Sequence, residues 1–152
     1  MMLTQILRPG CVRVPLASKD KDSAIAELIA VVDEAGLLGD RQVVDDAVFT
    51  RERTRSTGIG AGIAIPHGKC KAVKELVMAL GITAEPIDFQ SVDEKPVSII
   101  ILLVSPLDQT GPHIQALAQI SRLMLDETFK RALEQAPTAE AAYQLLSERE
   151  GR

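Results

Sequence analysis

Aromatic residues are nearly missing from this chain: 3% of 152 residues, with no Trp, one Tyr and three Phe. Its core must therefore be built from Ile, Leu, Val and Ala. Binding of single-stranded nucleic acid, which relies on aromatic stacking platforms, loses its main instrument. Basic charge is also short. The net charge is −4 and no basic stripe runs along the chain, so a reader of phosphate backbones is not expected. Cysteine is limited to Cys11 and Cys70, too few and too far apart for a disulfide framework, which points to a reducing, cytoplasmic setting. The stretch from Met1 to Gly10 lacks the layout of a signal peptide. The longest apolar run, Val97 to Val104 with only Ser98 interrupting, is too short to span a bilayer, so neither a leader nor membrane insertion is expected.

What remains is an ordinary globular composition, 46% hydrophobic and 25% charged, over a length that suits one domain covering residues 1–152. Val12, Val14 and Leu16 alternate with Arg13 and Pro15, the pattern of a short edge strand that tolerates proline. Ser18 or Asp20 can cap a helix whose Ile25, Leu28, Ile29 and Val32 form one apolar stripe, ended by Gly36. A second helix is predicted to begin after Asp40 and run to about Arg53, with Val43, Val44, Ala47 and Val48 inward. Strands are predicted at Ile63–Ile65, Leu76–Thr83 and Val97–Val104. The last is apolar on both faces, as a central strand covered by helices on each side must be. Gly111-Pro112-His113 opens a further helix, with Ile114, Leu117, Ile120 and Met124 as its buried face. Asp126 and Thr138 look like caps for two closing helices, the last ending near Leu146. The alternation predicts an α/β sandwich: a mixed central sheet flanked by helices on both faces.

Histidine is scarce too, and one of the two sits where chemistry gathers. The run Ser56-Thr57-Gly58-Ile59-Gly60-Ala61-Gly62-Ile63-Ala64-Ile65-Pro66-His67-Gly68-Lys69 replaces periodicity with a glycine-rich loop. Pro66 pushes Ile65 to extended geometry, so His67 is expected at a strand end, pointing out of the fold. A neutral imidazole has a free ring lone pair at pH 7 and can accept a phosphoryl group. Such transfer needs in-line placement and donors aimed at three oxygens. Gly58, Gly60, Gly62 and Gly68 would let backbone N–H groups approach them, and an arginine from the cluster Arg51, Arg53 and Arg55 would supply a charged fork. His113, in the first turn of its helix, would lie where bound anions are favoured over imidazolium.

Other chemistry fits less well. His67, Cys70 and His113 make an incomplete zinc set. Gly58, Gly60 and Gly62 miss the dinucleotide fingerprint because position 63 is Ile, and Lys69 is followed by Cys70 instead of a Walker hydroxyl. Arg51 has an alternative reading as a helix C-terminal cation, and Ser56-Thr57 as ordinary turn chemistry.

The stretch from Glu52 to Gly68 resembles the active-site motif of the enzyme IIA proteins of the bacterial phosphoenolpyruvate-dependent phosphotransferase system. It is similar to both the fructose/mannitol class and the nitrogen-regulatory branch. The core Ile59-Gly60-Ala61-Gly62-Ile63-Ala64-Ile65-Pro66-His67-Gly68 carries the resemblance, with Glu52 at the expected distance upstream, and Pro106-Leu107-Asp108-Gln109-Thr110 with His113 extends it. The resemblance implies that His67 is the phosphorylated histidine, His113 the second active-site histidine and Arg51 the phosphate-binding arginine. It implies a mixed sheet flanked by helices, and no ATP, metal or organic cofactor. It implies a phosphocarrier protein, HPr or its nitrogen-branch counterpart, as donor. The recipient would be a IIB component in sugar transport or, alternatively, a regulatory partner. Two positions depart from the family: Thr54-Arg55 replaces a common leucine-glycine pair, and Ala61 a common asparagine.

Overall fold

Residues 1–151 are described by the structure, a computed structural model. After a 3-10 turn at Leu3–Gln5 the elements follow as β1 (Leu7–Leu16), α1 (Lys21–Glu34), α2 (Arg41–Thr54), β2 (Gly58–Gly60), β3 (Ile63–Ala64), β4 (His67–Cys70), β5 (Val77–Ile87), β6 (Val97–Pro106), α3 (Thr110–Leu123), α4 (Glu127–Glu134) and α5 (Ala139–Glu150). The expected architecture is present: a mixed six-stranded sheet with helices on both faces.

The sheet is organised around β6, whose apolar run is buried almost throughout. β5 pairs with it antiparallel, and β1 pairs parallel with β5 at the edge. On the other side β3 and β4 both run parallel to β6, one after the other, with Ile63 opposite Ile99 and His67 opposite Leu103. Between them the Ile65-Pro66 step interrupts the line of pairing, although Leu103 N still donates to Pro66 O at 3.0 Å. Helices α1 and α2 pack on one face, while α3, α4 and α5 pack toward the other. One contiguous aliphatic cluster fills both layers.

Local chemistry sets the helix starts. Asp20, Asp40, Asp126 and Thr138 each accept a first-turn backbone N–H through the side chain, as the sequence predicts for N-caps. Ser18 does not cap; its hydroxyl donates to Glu27 instead. The termini of the fold are tied together: the Glu150 carboxylate accepts from Leu3 N at 2.6 Å and Thr4 N at 2.9 Å.

Several boundaries and faces differ from expectation. β1 starts at Leu7 instead of Val12, and β5 continues to Ile87 past a register shift and Pro86. The last helix runs to Glu150, beyond Leu146. The buried face of α3 is His113, Ala116, Ile120 and Leu123, so Ile114 is 59% exposed. His113 takes the sheet-facing position that hydropathy assigns to its neighbour. In α2 the buried stripe is Val44, Val48 and Glu52, a strict i, i+4, i+8 line that leaves Val43 outside.

Candidate functional site

The glycine run is a β-hairpin. Residues 58–60 pair antiparallel with residues 63–64, and the turn holds Gly60, Ala61 and Gly62 at φ of 98°, 56° and 82°. Two of these left-handed positions need glycine, and at the third an alanine is held in place. Asp93 accepts from Ala61 N at 3.0 Å, and Lys130 Nζ donates to Ala61 O at 2.9 Å. The hairpin delivers the chain through Ile65-Pro66 to His67, the first residue of β4.

His67 is half-buried and does not project freely from the fold. Its Nδ1 lies 2.7 Å from Ile65 O. A carbonyl only accepts, so the proton sits on Nδ1 and Nε2 keeps its lone pair. Burial pushes the imidazole below its ordinary value; the Ile65 carbonyl opposes this, Arg51 adds to it and Glu52 opposes it. The ring is therefore neutral at pH 7, with one nucleophilic nitrogen.

His113 reaches the same place from α3. The two imidazole centroids are 5.5 Å apart, with planes tilted by 58°. Side chains alternate along a strand, so His67 and Ser105, from neighbouring strands, emerge on the same face, beneath α3. Ser105 Oγ is 2.7 Å from His113 Nδ1, which leaves Nε2 of this ring free of that contact. Burial, then the nearby His67 and Lys69 charges, lower His113 to about 4. Lys69 itself reaches Thr110 Oγ1 at the start of α3.

Arg51 lies in the last turn of α2 and lines a cleft of about 370 Å³ together with His67. Its Nη1 donates to Arg55 O at 2.7 Å, anchoring the guanidinium across the end of the helix. Among the described residues the charged linings of this cleft are Arg51 and Arg55, and no carboxylate faces it. Apolar Ile59, Val92 and Leu117 complete its rim. A neutral nucleophile, two guanidinium groups and an apolar rim suit a dianionic group presented by another macromolecule.

The family comparison agrees with this geometry. Residues 5–149 match the family described as "Phosphoenolpyruvate-dependent sugar phosphotransferase system, EIIA 2". The chain belongs to this EIIA family.

The nitrogen regulatory protein of Escherichia coli (strain K12) is 35% identical over 154 residues, covering 99% of this chain and 93% of that protein. The fructose-specific EIIABC component of Bacillus subtilis (strain 168) is 32% identical over 148 residues. The match covers 97% of this chain but spans only 23% of that relative's length. Among solved structures, nitrogen regulatory protein IIA-Ntr from Neisseria meningitidis superposes with a TM-score of 0.86 at 30% identity, covering 95% of this chain and 98% of that one.

Within this EIIA chain the glycines do other work than expected. Gly58 lines the cleft, but Gly60 and Gly62 serve the hairpin turn. Gly68 faces α2: a Cβ there would stand 3.1 Å from the Ala47 carbonyl carbon and 3.2 Å from Val48 N. It is a packing glycine, not a phosphate-facing one. Thr57 is buried and its hydroxyl donates to Glu52, a local structural role. Cys70 points to the face opposite His67, and no group of three potential ligands stands together among the described residues, so the zinc alternative fails. No helix among the described residues is long and apolar enough to cross a membrane. Sequence reasoning missed Ser105, whose only signal is a hydroxyl closing the apolar run of β6. It also missed Lys21, which pairs with Glu52 at 3.0 Å.

Proposed function

We propose that this EIIA protein, acting over residues 1–152 as one carrier unit in the cytoplasm, takes a phosphoryl group onto His67 Nε2 from a phosphohistidine of HPr or its nitrogen-branch counterpart. The donor N–P bond breaks as the Nε2–P bond forms, and the donor ring keeps the electron pair of the broken bond. No proton leaves His67. Its Nδ1–H stays on the Ile65 carbonyl, which stabilises the positive charge the ring acquires. Arg51 faces the phosphoryl oxygens, and His113 Nε2 supplies a further contact when it carries a proton. The observation that carries this reading is the 2.7 Å Nδ1–Ile65 bond, which leaves Nε2 free beside the arginine-lined cleft.

Two recipients are compatible with this chemistry. One is a IIB component of sugar transport, in keeping with the relative named as a fructose-specific EIIABC component. The second is a regulatory partner, switched by the charge that phosphorylation adds. The second is in keeping with the relative named nitrogen regulatory protein, 35% identical over 99% of this chain.

Incubation with phosphoenolpyruvate, enzyme I and HPr tests the reaction. The expected product is an acid-labile, base-stable phosphate on the wild-type protein and none on His67→Ala. Label that survives in His67→Ala overturns the assignment. Chase of the labelled protein with a fructose-type IIB component separates the two recipients.

A further inference from the structure

Glu52 is the least expected charge in the protein. It is 5% exposed and sits in the last turn of α2, where the helix macrodipole disfavours a carboxylate. Its partner Lys21 is drawn in from α1, 3.0 Å away, with its ammonium 5.2 Å from the Phe89 ring centroid. Taking both charges out of water costs more than burying apolar groups of the same shape. Stability alone is therefore a poor reason for this pair.

Its hydrogen bonds give a better one. Glu52 accepts from Thr57 N at 2.7 Å and from the Thr57 hydroxyl, so one carboxylate fixes both donors of the first residue before the hairpin. The Thr57 carbonyl, held in place, accepts from Ile65 N at 3.0 Å. The Ile65 carbonyl in turn accepts from His67 Nδ1. Among the described residues that carbonyl is the only hydrogen-bond partner of the His67 ring.

We propose that Glu52, with Lys21 as its counter-charge, is a positioning residue: through Thr57 and Ile65 it holds the acceptor that keeps the proton on His67 Nδ1, and so decides which ring nitrogen is phosphorylated. It touches no phosphoryl group. The proposal rests on His67 being the acceptor, and the experiment keeps the two apart.

Ring nitrogen shifts and long-range couplings from 15N-histidine NMR report the tautomer directly, and 31P-coupled spectra distinguish Nε2- from Nδ1-phosphohistidine. The wild type is expected to show Nδ1–H and Nε2-phosphohistidine alone. Glu52→Ala should populate the other tautomer, yield some Nδ1-phosphohistidine and slow labelling by up to about 100-fold, the scale of loss when a reacting group is misplaced. Glu52→Gln keeps an oxygen for Thr57 N and can donate its amide N–H to the Thr57 hydroxyl oxygen, so it should retain the wild-type tautomer and isomer. Loss of packing alone would lower the melting temperature without moving the tautomer. If Glu52→Ala does not fold, Glu52→Met, which fills similar space and accepts from neither Thr57 donor, decides. A folded Glu52→Ala or Glu52→Met protein with wild-type tautomer, isomer and rate overturns the role of Glu52. Label retained in His67→Ala would instead overturn the acceptor itself.

Discussion

Replacing His113 should flatten the dependence of folding stability on acid. The wild-type imidazole is buried against Ser105 and beside His67, and titrates at about 4 instead of near 6.5. Between those two values the unfolded chain binds a proton that the folded protein refuses. Stability from this ring is therefore complete above about pH 6.5 and is lost as pH falls toward 4. At about 1.4 kcal/mol for each pH unit, the gap amounts to ~3 kcal/mol, a large share of a marginal folding free energy. His113→Asn retains a polar group for Ser105 but cannot titrate. Urea unfolding at closely spaced pH values from 4 to 8 gives both curves by linear extrapolation. The variant is expected to start lower at pH 8, through lost packing, and to lose about 3 kcal/mol less than the wild type on the way to pH 4. Carboxylates and His67 are common to both proteins and cancel in the difference. Parallel curves between pH 6.5 and 4 would refute the buried neutral imidazole.

The proposed phosphoryl transfer to His67 requires the neutral ring, and burial and Arg51 hold it below the ordinary histidine value. The labelling rate should fall on acidification with a midpoint below 6.5, and Arg51→Ala should shift that midpoint upward; a midpoint at or above 6.5 in the wild type contradicts the reading. Gly68→Ala should cost ~1–3 kcal/mol in urea unfolding, because the added methyl meets the α2 backbone near 3.1 Å. An unchanged midpoint would mean that α2 yields freely. Ala61→Gly should raise the melting temperature, since Ala61 holds φ at 56° and the left-handed region costs an alanine ~1 kcal/mol; a lower melting temperature would show that chain entropy outweighs the relief.

Much of this fold is visible in the sequence because its signals are local. Asp20, Asp40, Asp126 and Thr138 announce helix starts by a side-chain oxygen that needs no distant partner. The β6 run is apolar on both faces and belongs in the middle of a sheet. Strands of two to four residues are different. β2, β3 and β4 are too short to show alternation; the glycine run becomes a hairpin by pairing β2 with β3, which docks on β6. The exposure of Ile114 depends on which side of α3 meets the sheet, and that is set by His113 docking on Ser105, a contact made across elements. The same holds at the site. Motif resemblance names His67, His113 and Arg51, and the three converge in space from β4, α3 and α2. The second layer, Ser105 and Lys21, carries no spacing signature.

The clasp between Glu150 and the first turn sets the order of synthesis against the order of assembly. β1 is made before β5, its pairing partner, and well before α5, which packs against it. The backbone donors of Leu3 and Thr4 wait for a carboxylate 147 and 146 residues further along. Pairing over such separations closes large loops before any contact repays them, which slows folding. β1 stays unpaired until β5 is made, and its outer side is still a sheet edge in the folded protein. During that interval its two prolines, Pro9 and Pro15, leave gaps in the row of donors that a neighbouring chain would need in order to pair with it.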